Sequence, residues 1–361
     1  MDGIHRIIEA LRVSGSNHVL ATIIRVEGSA YLKEGTTMLF REDGTQIGIL
    51  SGGCLEADLA HRAADVLEGG HNRMLIYDMR DEDDLSWGQG SGCNGLIYVL
   101  LEQVDQQRKK DLFTLQSYLD RREPILFIHK LSKDLQGLEY GYFPLNGQSF
   151  GSWQRDTPEI LIERFLAKPY NQPASGVKQY SKNEPPTFVH YYYPRPRLII
   201  IGAGSDAKPL VDIAKKVGFI VILADWREAY CNVEHFPDAD QFITGFTDEM
   251  MRKLCLTQDD FIILMTHQFQ RDQEILSFLE AKKIRYIGVL GSGSRMNRLM
   301  GDKERPASIH SPIGVPIGAE GPEEIAISIL AEIIGTLRMT SKCSKDDEYS
   351  YSPPWRGNYY V

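Results

Sequence analysis

Apolar and polar positions in the first third of the chain follow both helical and strand patterns. Apolar residues between 4 and 11 recur with helical spacing, and Asp2 stands where a helix cap is expected. A second helix is predicted over 55–68, because Gly69 and Gly70 form a typical C-terminal stop. Strands are predicted over 18–26, 37–40, 47–50, 74–77 and 96–102. Residues 1–105 are therefore predicted to form a mixed α+β domain.

The pattern is weaker in the middle segment, residues 106–187. Two antiparallel strands are predicted over 124–129 and 138–143, with glycines between and within them. Thr157 followed by Pro158 predicts the start of a helix that runs to about residue 168. Residues 169–187 are rich in Pro, Ser, Lys and Asn and are predicted to be a linker. We place a domain boundary at the end of this linker.

Strand and helix patterns alternate regularly over residues 188–340. Strands are predicted over 198–201, 220–224, 261–265 and 286–290, and helices near 206–217, 248–255, 272–283 and 322–337. The strands are continuous apolar runs, which is typical of a sheet covered by helices on both faces. The fold class is therefore α/β, with a C-terminal Rossmann-like, doubly wound parallel sheet after the mixed N-terminal domain.

Composition and charge exclude several classes of protein. The 361 residues include 40 Lys and Arg against 49 Asp and Glu, a formal net charge of −9, which argues against binding to nucleic acid or anionic lipid. No apolar run approaches the roughly 20 residues that a membrane helix needs. The first residues lack the apolar region of a secretory signal, and five cysteines are too few and too scattered for a disulfide scaffold. We expect a cytoplasmic location.

A dinucleotide-type fingerprint follows the strand predicted over 198–201. Gly202, Gly204 and Ala207 match G-x-G-x-x-G/A, with Ser205 at the helix entry, where backbone N–H groups bind phosphate. Asp225 ends the next strand, at the position where an acidic residue binds a ribose hydroxyl group in such domains. Because Arg227 follows two residues later, the sequence does not decide between NAD and NADP as the ligand. A tight turn without any ligand is the alternative interpretation.

Two further positions could face the same crevice. Gly291, Ser292 and Arg295 belong to a glycine-rich turn that either binds an anion or is only a flexible turn. His267 follows the strand predicted over 261–265, at the edge where open α/β sheets bind ligands, so it is the candidate acid–base residue. A solvated histidine is the alternative. Gly321 precedes the last helix, where Glu323 and Glu324 in the first turn favour a structural role.

Two cysteines of the N-terminal domain stand in glycine turns. Cys54 follows Gly52 and Gly53 at the entry to a predicted helix, whose dipole favours a negatively charged sulfur. Cys93 follows Gly92 just before a predicted strand. Neither belongs to a C-x-x-C pair and no histidines have zinc-site spacing, which argues against structural zinc, whereas thiolates suit softer metals and sulfur transfer. Tight packing of two small residues is the alternative.

These turns together resemble the XdhC/CoxI family, the accessory proteins of molybdenum hydroxylases such as xanthine dehydrogenase. The N-terminal segments that carry the resemblance are GSAYLKEGTTML (28–39), GILSGGCLEADL (48–59) and SGCNGLIYVLLE (91–102). The C-terminal segments are LIIIGAGSDAKPLVDIAKKVGF (198–219), YIGVLGSGSR (286–295) and IHSPIGVPIGAEGPEEIAISILAEII (309–334). The family usually has glycine where this chain has Asn94, and a His-Asp-His type cluster appears here as Thr266-His267-Gln268.

The resemblance implies a chaperone that binds molybdenum cofactor, assists its sulfuration and inserts it into an apo-hydroxylase of the xanthine dehydrogenase type, without turnover of its own. It also implies that Cys54 and Cys93 contact the cofactor or its molybdenum. A cysteine desulfurase is a further partner that the resemblance allows. The residues expected to contact a bound cofactor are Gly28, Ser29, Gly52, Gly53, Cys54, Gly92, Cys93, Gly202, Gly204, Ser205, Asp225, Gly291, Ser292 and Arg295.

Two other functions remain open from the residues alone. An NAD(P)-dependent oxidoreductase would use the Rossmann fingerprint with His267 as its catalytic acid or base, and a regulatory domain would sense a nucleotide without chemistry. The tail, residues 341–361, carries five aromatic residues around Pro353 and Pro354, so we expect it to dock on the protein or on a neighbouring protomer. A homodimer is expected because it is the commonest assembly.

Overall fold

The computed structural model describes residues 3–13, 15, 17–80, 95–132, 137–154, 159–167, 174–179 and 185–339. Within them the chain divides into two compact units, which join in the sequence between Pro194 and Arg195. No described helix combines the length and the apolar character that spanning a bilayer requires.

The first unit begins with an antiparallel sheet. Its elements are α1 (Gly3–Val13), β1 (His18–Gly28), β2 (Thr37–Arg41), β3 (Gln46–Ile47), α2 (Glu56–Gly69), β4 (Arg73–Asp78) and β5 (Gly95–Gln103). The strand order is β3-β2-β1-β5-β4, and every pairing is antiparallel. Alternate residues of β1 face opposite cores: Val19 packs with α2, whereas Leu20 packs with α1. The predicted mixed α+β domain is confirmed.

A second antiparallel sheet completes this unit. Its elements are α3 (Gln106–Asp120), β6 (Ile125–Leu131), β7 (Gly137–Pro144), β8 (Phe150–Gly151), α4 (Glu159–Ala167), β9 (Gly176–Lys178) and β10 (Thr187–Tyr192). The order is β8-β7-β6-β10-β9. The sequence pattern does not reveal α3, because Arg108, Asp111 and Gln116 are buried and these polar residues interrupt the expected apolar face.

The end of this sheet differs from the predicted linker. Gly176–Lys178 and Thr187–Tyr192 are strands, and the latter pairs antiparallel with β6 along its whole length. The boundary placed between residues 187 and 188 therefore falls within a strand that belongs to the first unit, seven residues ahead of Arg195. Composition could not reveal this, because a linker-like sequence carries no signal for the distant strand with which it pairs.

The second unit is the doubly wound α/β domain that the sequence predicts. Its elements are β11 (Arg197–Ile201), α5 (Ala207–Lys216), β12 (Ile220–Asp225), β13 (Gln241–Thr244), α6 (Thr247–Lys253), β14 (Phe261–Leu264), α7 (Phe269–Glu280), β15 (Tyr286–Val289), α8 (Gly293–Met300), β16 (Ile309–His310) and α9 (Gly321–Met339). The parallel order is β13-β12-β11-β14-β15-β16. Helices α5 and α9 cover one face, and α6, α7 and α8 cover the other.

This strand order places a crevice between β11 and β14. Connections leave these two neighbouring strands in opposite directions along the sheet, so their carboxyl ends form the topological switch point where such sheets bind ligands. The turn after β11 carries Gly202 and Gly204, and the turn after β14 carries His267. The fold therefore brings together two motifs that are more than 60 residues apart in the sequence.

Candidate functional site

Gly202, the first glycine of the fingerprint, is required by strand packing. Its φ is +125°, and a Cβ atom at this position would overlap the backbone oxygen of Met265, at the end of β14. Its N–H donates to Ala224 O at 2.8 Å, which joins it to the neighbouring strand β12. The residue thus allows three strand ends to converge, and this role needs no ligand.

Gly204, the second glycine, makes room for a side chain of this protein. A Cβ atom at Gly204 would overlap Oδ1 of Asp206, the residue just before α5. The other carboxylate oxygen, Oδ2, lies 2.7 Å from Nε2 of His267 across the crevice. In a dinucleotide-binding turn the second glycine lets backbone approach a pyrophosphate. Here a carboxylate paired with an imidazole stands at that position, and Ser205 beside it is exposed.

His267 occupies a strained turn. Its φ is +59°, an uncommon conformation for a residue other than glycine that costs roughly 1–3 kcal/mol and clusters at functional sites. The turn is held by Thr266, whose Oγ1 accepts from Gln268 N at 3.1 Å and donates to the buried carboxylate of Asp272. The imidazole side chain is 61% exposed, so the pair with Asp206 is open to solvent or to a ligand.

Asp225 cannot bind a ribose hydroxyl group in this conformation, because both carboxylate oxygens are buried and hydrogen-bonded within the protein. It is fully buried, and Oδ2 accepts from Ala203 N at 2.7 Å and from Arg227 Nη2 at 2.8 Å. Oδ1 accepts from the backbone and Nε of Arg227 at 2.8 and 3.0 Å. Burial alone would raise the pKa of this carboxyl, but the hydrogen bonds from Arg227 and Ala203 outweigh burial, so its pKa is lowered. Ribose binding would require Arg227 to move.

The turn of Gly291 and Ser292 is tied to the His267 turn. Ser292 caps α8 by accepting from Arg295 N at 3.2 Å, and Gly291 has φ +130°. The guanidinium of Arg295 donates to Asp272 Oδ2 at 2.6 Å, and the other oxygen of this buried carboxylate accepts from Thr266. Arg295 is therefore engaged with the protein, and it stabilises the crevice wall rather than presenting a free cation.

An apolar groove opens beside the Asp206–His267 pair. It encloses about 400 Å³, including its mouth, and Asp206 is its charged residue. Its apolar walls are Leu210, Met265, Leu290, Gly321, Pro322, Ile325, Ala326 and Ile329. The sequence predicts a structural role for Gly321 and does not distinguish the α9 residues as a groove wall. Their spacing along α9 was the available signal, but core packing against α5 produces the same spacing.

The turn before α2 is built around Glu56. This carboxylate accepts from Leu50 N and Ser51 N at 3.1 and 2.8 Å through Oε1, and from the Ser51 hydroxyl through Oε2. Ser51 Oγ in turn accepts from the backbone N–H groups of Gly53 and Leu55. Burial would raise the pKa of Glu56, but the hydrogen bonds from Ser51 and Leu50 outweigh it, so the pKa is lowered. The turn is thereby fixed from one side.

The other side of this turn is open among the described residues. Cβ atoms at Gly52 and Gly53 would meet none of their atoms within 4 Å, although Gly53 has φ +112°. Cys54 is half-buried against the core that α2 shares with β1. Gly28 ends β1 and pairs with Gly95, where a Cβ atom would overlap Ser29 O. This glycine contact adjoins the segment that carries the second predicted cysteine.

The predicted residues thus fall into two groups in different units. Gly202, Gly204, Ser205, Asp225, Gly291, Ser292, Arg295 and His267 belong to the second unit, and Gly28, Ser29, Gly52, Gly53 and Cys54 belong to the first. Gly92 and Cys93 lie outside the described residues. Among the residues that are described, no three His, Cys, Asp or Glu side chains form a metal-binding group. Of the other cysteines, Cys231 is buried, which raises its pKa to about 11, and Cys255 is exposed.

Fold and site together define a class of protein: an α/β chain whose Rossmann domain carries a carboxylate–imidazole pair at its ligand crevice, preceded by two antiparallel sheets. The chain belongs to the XdhC and CoxI family, as its sequence predicts. Residues 11–78 match the XdhC and CoxI family, residues 198–333 match the XdhC Rossmann domain, and residues 106–193 match the BH1974-like central domain.

Three relatives are similar over most of the chain. A protein of Bacillus subtilis (strain 168), described as a probable subunit of xanthine dehydrogenase, is 40% identical over 339 residues, 93% of this chain and 98% of the relative. The "Molybdenum cofactor insertion chaperone PaoD" of Escherichia coli (strain K12) is 23% identical to this chain. The match covers 90% of this chain and 85% of the length of PaoD. A third relative has a crystal structure, described as a xanthine dehydrogenase (BH1974) from Bacillus halodurans. Its sequence is 45% identical, and the two structures superpose with a TM-score of 0.85 over 96% of this chain and 98% of the BH1974 chain.

Proposed function

We propose that this protein is an accessory factor that binds the molybdenum cofactor and inserts it into an apo-hydroxylase of the xanthine dehydrogenase type. The observation that carries the proposal is the similarity to the insertion chaperone PaoD along 90% of the chain. The Bacillus subtilis relative, described as part of a xanthine dehydrogenase, supports the same class of partner. The proposal includes assistance with sulfuration by a cysteine desulfurase, and a cytoplasmic homodimer as the working form.

The turn before α2 fits one part of this cofactor, a pterin that carries a phosphate and a sulfur-bound molybdenum. The space beside Gly52 and Gly53, which no described residue fills, admits a ligand close to the backbone. The half-buried sulfur of Cys54 is a donor that suits a soft metal centre. When bound, the cofactor supplies the metal centre that the hydroxylase needs. The residues of this chain hold it, with Ser51 and Glu56 keeping the turn in one conformation.

Accessory binding without turnover agrees better with the Rossmann crevice than dehydrogenase chemistry does. The carboxylate of Asp206 beside Gly204 would repel a dinucleotide pyrophosphate, and Asp225 is sealed by Arg227. These two features oppose the NAD(P)-dependent alternative. The apolar groove under α9 and the pair of Asp206 with His267 remain available for the cofactor or for its transfer.

Cofactor retention tests the proposal directly. The full chain is purified from cells that synthesise molybdenum cofactor, its molybdenum is measured by mass spectrometry, and its pterin is measured by fluorescence after oxidation. Transfer is scored as recovered xanthine oxidation when the loaded protein is mixed with apo-hydroxylase. Thermal shifts with NAD and NADP are measured in parallel. We expect bound molybdenum and pterin in equal amounts, transfer to the hydroxylase, and a shift with NAD or NADP no larger than the shift with AMP alone.

The cysteines give matched variants for the same experiment. Cys54→Ser and Cys93→Ser should each lower molybdenum retention several-fold, whereas Cys255→Ser, an exposed cysteine of the other unit, should leave it unchanged. Retention that survives both turn variants would keep the chaperone function and remove the role of the thiols. A protein that binds NADP and never retains molybdenum or pterin would overturn the proposal.

A further inference from the structure

Aromatic rings and guanidinium groups alternate along one edge of the Rossmann domain. Arg227 Cζ lies 4.8 Å from the ring centroid of Tyr230 and 4.6 Å from that of Trp226. Arg271 Cζ lies 4.1 Å from the Trp226 centroid and 5.5 Å from the Phe246 centroid. These five residues form a cation–π stack in the contact order Tyr230, Arg227, Trp226, Arg271, Phe246, which we call the aromatic–arginine stack.

The stack lies at the carboxyl edge of the parallel sheet. Trp226 and Arg227 follow β12 directly, Phe246 follows β13 at the entry to α6, and Arg271 is in the first turn of α7 after β14. Ligands of open α/β sheets bind at this edge. The stack is therefore on the ligand side of the domain, next to the strand that leads to the Gly202 turn.

Both ends of the stack are exposed aromatic rings. Phe246 is 68% exposed and Tyr230 is 50% exposed. Large aromatic residues usually bury most of their surface. The ring of Tyr230 also contacts that of His235, with centroids 6.1 Å apart, so the exposed ring of Phe246 is the open face on which another planar group can pack. Base–aromatic stacking of this kind tolerates any planar heterocycle.

The two arginines of the stack differ in whether their positive charge is already paired with a carboxylate. Arg227 is held by the buried carboxylate of Asp225, which neutralises its charge and fixes its plane. Arg271 donates through Nε to the amide oxygen of Gln268 at 3.2 Å, and within the described part of the chain it has no carboxylate partner. The nearby carboxylate of Glu274 accepts from Thr247 instead. One guanidinium of the stack thus retains a positive charge that is not balanced by an ion pair.

We propose that the aromatic–arginine stack is a binding site for a planar nitrogen heterocycle that carries a phosphate. The ring packs on the exposed face of Phe246, and the phosphate pairs with the guanidinium of Arg271. A nucleotide and a pterin phosphate share this chemistry. The site goes beyond the proposed function, because it lies in the Rossmann domain and needs neither the metal nor the cysteine turns.

Separate probes for the ring and the phosphate test the site. Isothermal titration of the full chain uses guanosine and neopterin as rings, ribose 5-phosphate as the phosphate, and GMP and neopterin phosphate as the joined molecules. We expect each joined molecule to bind about tenfold more tightly than its ring alone, the gain of one charge-assisted contact. Ribose 5-phosphate alone should bind too weakly to measure.

Three variants assign the contacts. Arg271→Gln should remove the tenfold gain from the phosphate and leave ring affinity unchanged, whereas Phe246→Ala should weaken the ring and the joined molecules alike. Arg252→Gln, an exposed arginine in the last turn of α6, makes the same change of charge away from the stack and should change nothing. Unfolding temperatures of all variants check that the domain remains folded.

The outcomes separate this site from the proposed function. Tighter binding of neopterin phosphate than of GMP identifies the cofactor as the ligand source, and the reverse identifies a nucleotide; both support the site. Wild-type protein that binds no joined molecule, or binding that neither Arg271→Gln nor Phe246→Ala weakens, overturns it. Molybdenum retention is measured on the same variants, so the chaperone function can stand while this site fails, or fail while it stands.

Discussion

The turn at residues 51–55 and the turn at residues 202–207 each carry two glycines at the entry to a helix, and they use them in opposite ways. At Gly202 and Gly204 the space of the missing side chain is filled, by the backbone of Met265 and by the carboxylate of Asp206. At Gly52 and Gly53 no atom of the described residues fills that space. The Rossmann turn therefore needs glycine for packing within the domain, whereas the turn before α2 offers backbone to a ligand.

The comparison shows that a glycine motif has no fixed meaning. The Rossmann fingerprint is the more specific sequence signal, yet its glycines are explained by contacts within the protein. The Ser-Gly-Gly-Cys turn is a weaker signal, and its glycines have no such explanation among the described residues. Substitutions that add a single methyl group to each turn separate the two roles.

The largest effect is expected for Gly202→Ala. The new Cβ would overlap Met265 O in a backbone conformation with φ +125°, so both strain and collision oppose it. We expect a loss of about 3 kcal/mol or more in the free energy of unfolding of the Rossmann domain. Urea denaturation measures this. A loss below about 1 kcal/mol would show that this turn is as open as the other.

A smaller effect is expected for Glu56→Gln in the open turn. The amide loses the charge-assisted hydrogen bonds from Leu50, Ser51 N and Ser51 Oγ, which should cost about 2 kcal/mol at neutral pH. Because the folded-state pKa of Glu56 is lowered, its stabilisation is fully present above its usual pKa of 4.5 and is lost as the pH falls through the folded-state value.

Urea midpoints of wild type and Glu56→Gln should therefore converge as the pH falls through the lowered folded-state pKa of Glu56, below which both carry an uncharged side chain. Glu68→Gln, an exposed residue at the other end of α2, is the control and should change the midpoint little at any pH. A difference between wild type and Glu56→Gln that stays constant from pH 7 to pH 3 would contradict the role of the ionised carboxylate.

The smallest effects on stability are expected for the glycines of the open turn. Gly53→Ala should cost about 1 kcal/mol from its φ of +112° alone, and Gly52→Ala, without a positive φ, less than about 0.5 kcal/mol. The added methyl groups would fill the space proposed for the cofactor, so molybdenum retention should fall although the fold is intact. Stability losses as large as that of Gly202→Ala would remove the contrast between the turns.

Local pattern predicted the buried strands at the centre of the Rossmann sheet closely. The strands at Arg197–Ile201 and Ile220–Asp225 were found within one residue, because buried parallel strands are continuous apolar runs. Gln241–Thr244 was missed, since of its four residues only Ile243 is buried. The boundary placed between residues 187 and 188 divides the strand at Thr187–Tyr192, because its partner β6 lies more than 50 residues earlier and no local pattern reveals the pairing.

The sequence predicted where the residues of the candidate site lie in the fold, but not which side chains contact each other there. Glycine spacing and strand ends identified the crevice and the residue His267, because these follow from local backbone requirements. The partner of His267 was not predicted: Asp206 is 61 residues away and stands within the fingerprint itself. The ion pair between Arg227 and Asp225 depends on a side-chain conformation that the sequence does not predict.

The sequence by itself determined the family, the alternation of strands and helices in the Rossmann domain, and the turns at which a ligand could bind. These depend on residue type, on periodicity and on the backbone freedom of glycine, which are local properties. Only the tertiary structure decided which glycine spaces are filled, that Asp206 meets His267, and that Tyr230, Arg227, Trp226, Arg271 and Phe246 form one stack. Contacts between distant segments depend on the packing of the whole domain, which no local pattern records.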